Sequence, residues 1–113
     1  MDNLLEINSD LQKYKDMVGQ VLPVIATTHD MFMEEVYKDA TLSGKMKRLI
    51  GIAIGVNSGS FSCMVNQTRR AVEMGATKEE VMEAVSVAIA MGGTSTIAYG
   101  ANVVKVLQEL GKW

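Results

Sequence analysis

From Leu49 to Val56 the chain reads LIGIAIGV, without one polar side chain, between segments that each carry a helical repeat. A helix apolar on every side has to be buried on every side. This stretch therefore predicts the central helix of an all-α fold, beginning near Lys45 after a Thr41 to Gly44 loop. Upstream, Ser9 followed by Gln12 has capping-box spacing, predicting a first helix from about Asp10 to Val21 with Leu11, Tyr14, Met17, Val18 and Val21 on one face. Pro23 suits a first helical turn, so a second helix runs to about Lys38 with Ile25, Met31, Phe32 and Val36 as its apolar positions and Glu34–Lys38 as a supporting ion pair. Asn57 to Ser60 breaks the central helix, and Ser58 or Ser60 caps a fourth that ends at Gly75, a residue suited to a left-handed turn. Thr77-Lys78-Glu79-Glu80 signals the start of a fifth helix, Gly92-Gly93 its end, and Thr94-Ser95-Thr96 the cap of a sixth reaching about Leu110. The expected architecture is a bundle of about six helices.

Gly51 and Gly55 expose backbone along one line of the central helix, which predicts close approach of a neighbouring helix. From Ala84 to Val104 no residue is charged. That length reaches a membrane span, but the double glycine, the hydroxyl side chains and the lack of basic flanking oppose insertion. Helices this apolar exceed what one small core covers, so the sequence predicts a homo-oligomer.

The chain of 113 residues fits one domain, 1–113, with a net charge of −2 that offers no general attraction to nucleic acid or an anionic membrane. One cysteine cannot close an intrachain disulfide, and MDNLLEINSDLQ lacks the basic start of a targeting signal, so the expected compartment is cytoplasmic. No metal and no cofactor is assigned. Asn66-Gln67-Thr68 is read as a chance glycosylation triplet, and the sole histidine, His29, as a surface residue.

Candidate chemistry gathers where the fourth helix starts. Helical spacing places Ser60, Cys63 and Gln67 on one face. A cysteine in a first turn sits in the positive field of the helix dipole, which favours the thiolate; the competing reading is a buried, inert cysteine. Arg48, Lys45, Lys47, Arg69 and Arg70 are the neighbouring cations; of these, Lys45, Lys47 and the Arg69-Arg70 pair are most simply a solvated rim.

An apolar helix, then SFSCMVNQTRRAVEMGATKEEVMEAVSVAIAMGG, then a last amphipathic helix, resembles the carboxymuconolactone decarboxylase and alkylhydroperoxidase D (AhpD-like) family over about Leu22 to Leu110. The resemblance implies an all-helical AhpD-like bundle assembled as a trimer or hexamer. In the family's peroxidase branch a C-x-x-C pair, a histidine and an upstream glutamate cycle thiols and protons. Laid over this chain, those positions fall on Ser60, Cys63, Gln67 and Arg48, and only Cys63 is retained. Serine cannot form the disulfide, glutamine is no base near neutrality, and arginine stays protonated. The functional expectation is a small oligomeric family member without dithiol peroxidase chemistry, non-catalytic or binding a small anionic ligand. The alternatives are a decarboxylase or isomerase acting on a small carboxylate or lactone, with the cations near Arg48 holding its charge, and a single-thiol peroxidase working through Cys63.

Overall fold

The computed structural model describes residues 3–113. They form six helices, α1 (Leu4–Val21), α2 (Pro23–Tyr37), α3 (Gly44–Ser58), α4 (Phe61–Glu73), α5 (Lys78–Gly92) and α6 (Thr94–Glu109), with no strand among them. No helix of the described residues is long and apolar enough to cross a membrane.

α3 is the central element. Leu49, Ile52 and Val56 on one side of it are buried with Met64 and Ala71 of α4, Val81, Val85 and Ala88 of α5, and Val103 and Leu107 of α6. Within the single chain the burial of α3 is one-sided: Ile50 is 43% and Ile54 62% exposed. Between α3 and α5 the apolar residues line an open trough of about 780 Å³ whose floor includes Leu49, Ala53 and Ala88.

Two helix starts differ from the sequence reading. α1 begins at Leu4, not near Asp10, and Ser9 lies inside it. Its cap is Asn3, whose side chain accepts the Glu6 N–H, while the Glu109 carboxylate at the far end of the chain accepts the N–H groups of Leu4 (3.0 Å) and Leu5 (2.9 Å). An acid at the positive end of a helix is stabilising, and no local sequence signal could show this one. α6 is capped by Gly93 backbone; Thr96 lies within the first turn and donates back to the Gly93 carbonyl. In α2, Lys38 pairs with Glu35 at 2.6 Å and not with Glu34.

Other signals hold. Ser60 caps α4, and Gly75 after its end takes a positive φ of 89°. At α5, Glu80 N–H donates to Thr77 Oγ1 (3.1 Å) while Glu80 Oε1 accepts from Thr77 N–H (3.0 Å), and Lys45 Nζ lies 3.0 Å from Glu80 Oε2. The Thr77 backbone bond, then Lys45, hold the Glu80 carboxyl below its ordinary value of 4.5. A carboxylate depressed on folding protonates more readily in the unfolded chain, so its stabilisation is complete above the ordinary value and is lost as pH falls through the folded one. Glu80→Gln is therefore expected to lower the melting temperature at neutral pH, with the gap to wild type closing well below pH 4.5. A gap that stays constant in acid would show that the charge has no part in it.

Candidate functional site

The glycine line of α3 decides how closely α4 approaches. A Cβ on Gly55 would stand 3.0 Å from Cys63 Cβ and 3.3 Å from the Met64 nitrogen, and one on Gly51 would stand 2.8 Å from Gln67 Cδ. Cys63 and Gln67, on successive turns of α4, thus lie directly against the two glycines. The close helix crossing expected from Gly51 and Gly55 is present.

Gln67 is 8% exposed, and a buried amide needs partners for both of its ends. Its Nε2 donates to the Tyr37 hydroxyl at 2.8 Å, and its Oε1 accepts from Arg48 Nη1 at 3.1 Å. The Arg48 guanidinium also stacks on Tyr37, with its carbon 3.5 Å from the ring centroid. A cation held over the face of a ring is attracted by the ring's quadrupole. Three helices therefore meet in one cluster: α2 supplies Tyr37, α3 supplies Arg48 and α4 supplies Gln67.

The charge in the cluster is not neutralised from within it. Arg48 has no ion-pair partner among the described residues, whereas Glu73 pairs with Arg69 (3.5 Å) and Arg70 (3.6 Å). Arg48 Nε is buried and has no hydrogen-bond partner. Burial is the largest effect on its pKa and lowers it from the ordinary arginine range; Tyr37 and Glu73 act upward, and Arg70 acts downward. An arginine stays cationic through such a shift.

Of the four positions singled out by sequence, the structure joins Arg48 and Gln67. Cys63 is exposed and lies a turn away along the same seam, with its backbone N–H donating to Ser60 Oγ at 3.4 Å. Ser60 is thus engaged as the helix cap. None of the four lines the α3–α5 trough. Lys45 on Glu80, Lys47 on the Lys38 carbonyl, and Arg69 and Arg70 on Glu73 form the expected solvated rim, and His29 is exposed. Tyr37 was missed. It is the last residue of α2, followed by a polar loop, and nothing local in the sequence ties it to Arg48.

Gly51→Ala follows as a test of the cluster. Alanine favours the helix by about 1 kcal/mol, but its methyl takes the space of the Gln67 side chain. The expected variant keeps its helical circular dichroism and loses the Gln67 bonds, seen as a changed side-chain amide signal for Gln67 in NMR. An unchanged signal would mean that the crossing has slack to absorb the methyl.

A family model, "Carboxymuconolactone decarboxylase family", matches residues 24–106. The chain belongs to the carboxymuconolactone decarboxylase family. Its fold agrees with the crystal structure of an apo carboxymuconolactone decarboxylase family protein from Legionella pneumophila at a TM-score of 0.93, with 26% identity over 99% of this chain and 100% of that one. A Thermotoga maritima protein structure aligns at 0.78, with 25% identity and coverage of 89% and 91%. Among sequences, an uncharacterized protein of Cupriavidus necator is 24% identical over 90% of both chains. "Uncharacterized protein 4 in cox locus" of Paracoccus denitrificans is 27% identical over 88% of this chain and 93% of its own.

Proposed function

We propose that this member of the carboxymuconolactone decarboxylase family binds a small carboxylate at Arg48, without dithiol redox turnover. The observation that carries the proposal is the state of Arg48: a partly desolvated cation whose partners, Gln67 and the Tyr37 ring, are both neutral, with a buried Nε–H unengaged. Desolvating a charge costs free energy unless an opposite charge offsets it, and a carboxylate matches the planar donor fork of a guanidinium. Dithiol cycling within one chain needs a second cysteine, and the chain has one. Gln67, in the position where the peroxidase branch has its histidine, is here a spacer that orients Arg48 and Tyr37. The test is thermal stabilisation by malonate, succinate and citrate in wild type and in Arg48→Ala. Stabilisation in wild type alone supports carboxylate binding at Arg48; no stabilisation, or equal stabilisation in both, refutes it.

A further inference from the structure

The direction of each proton in the Arg48 cluster is fixed by the one member that can only donate. A guanidinium carries five N–H donors and no acceptor. The Gln67 atom 3.1 Å from Arg48 Nη1 must therefore be the carbonyl oxygen, which turns the Gln67 amide nitrogen toward the Tyr37 hydroxyl at 2.8 Å. An amide nitrogen donates, so the Tyr37 oxygen accepts. The Tyr37 proton is then not spent on Gln67, and it has no acceptor among the described residues. Tyr37 and Arg48 are half-buried, not sealed.

Acceptors in the cluster are already engaged. The Gln67 oxygen faces Arg48, the Tyr37 oxygen faces Gln67, and the carboxylate of Glu73 is shared by Arg69 and Arg70. What is left to a ligand is a set of donors: the Tyr37 O–H and the Arg48 protons not used on Gln67. Such a site is satisfied by a ligand that presents acceptors. A ligand ammonium would meet the Arg48 charge and find no partner of its own.

We propose that Tyr37 is the second donor of the carboxylate site, its O–H bonding a carbonyl oxygen next to the carboxylate that Arg48 holds, so that the ligand class is an α-keto acid. The proposal deepens the carboxylate reading of Arg48 and rests on it. An α-keto acid sets a neutral acceptor directly beside its carboxylate. The plain acid lacks that acceptor, and the α-amino acid puts a cationic donor in its place. Arg48 supplies the attraction, and Tyr37 supplies the choice among carboxylates. One neutral hydrogen bond of this kind is worth roughly 3- to 10-fold in affinity.

The experiment is calorimetric titration of glutarate, α-ketoglutarate and L-glutamate, which share chain length and both carboxylates, into wild type and Tyr37→Phe at neutral pH. Wild type is expected to bind α-ketoglutarate roughly 3- to 10-fold more tightly than glutarate, and L-glutamate more weakly than either. Tyr37→Phe is expected to bind α-ketoglutarate and glutarate equally. Loss of a merely structural hydroxyl would weaken these ligands alike, so an α-keto preference kept in Tyr37→Phe overturns the donor role. Equal binding of glutarate and α-ketoglutarate by wild type, or L-glutamate bound as tightly as α-ketoglutarate, overturns the ligand class and leaves carboxylate binding at Arg48 standing. Binding of none of the three by wild type refutes the carboxylate reading itself, and this inference with it. If Tyr37→Phe does not fold or binds none of them, meta-fluorotyrosine is placed at position 37. Fluorine makes the O–H a stronger donor, so the α-keto preference is expected to widen; an unchanged preference overturns the donor role.

Discussion

Ile52→Ala is expected to cost about 2–5 kcal/mol, from lost apolar transfer plus an incompletely collapsed cavity. Ile52 is 0% exposed in the middle of α3, the helix against which α4, α5 and α6 all build the core. A domain of this kind has about 5–15 kcal/mol of stability in total, so one substitution can remove a large share. At about 2–8 °C per kcal/mol for domains bracketing this size, a fall in melting temperature of roughly 4–40 °C should be seen by circular dichroism. A loss below about 1 kcal/mol would mean that the packing around α3 rearranges to fill the space, and that α3 is not the organising element.

Arg48→Ala is expected to abolish stabilisation by small dicarboxylates. A ligand present at about 100 times its dissociation constant adds about 2.7 kcal/mol to stability, and all of that should vanish if Arg48 supplies the charge. The substitution removes the contact with the Tyr37 ring and leaves the buried Gln67 Oε1 without its donor, so the ligand-free variant should be less stable than wild type by about 1–3 kcal/mol. Arg48→Lys should recover little, because an ammonium lacks the planar donor fork that bonds Gln67 and a carboxylate at once. A lysine variant that responds like wild type would show that bulk positive charge is enough.

Helix count and order were legible because punctuation in this chain is local. The Thr77–Glu80 box, the Ser60 cap and Gly75 each act within a few residues, and each is found where the sequence places it. The family, too, was legible from Ser60 through the GATKEE turn, and the match over 24–106 bears it out. α1 starts at Leu4, six residues before the expected Asp10, at a local cap passed over in favour of Ser9 and Gln12: Asn3 with Glu6 three residues on. The second support of that start, the Glu109 carboxylate, comes from the far end of the chain, and no spacing rule joins positions so far apart. Hydrophobic periodicity located the apolar faces of α1 and α2 but not what lies against them. Leu11, Tyr14, Val18 and Phe32 form stripes as expected, and those stripes face away from the core. The site was half legible. Arg48 and Gln67, singled out in the sequence, meet in one cluster, and Gly51 beside Gln67 is the close approach that the glycine spacing implied. Tyr37 was not legible, because it comes from a different helix and its role depends on how the α2–α3 loop folds back.

The most direct test of carboxylate recognition is calorimetric titration of succinate into wild type and Arg48→Ala under identical buffer and salt. Saturable binding with at most one site per chain in wild type, absent in Arg48→Ala while its circular dichroism is unchanged, is the expected result. Saturable binding of equal affinity in both proteins, or none in wild type, would contradict it.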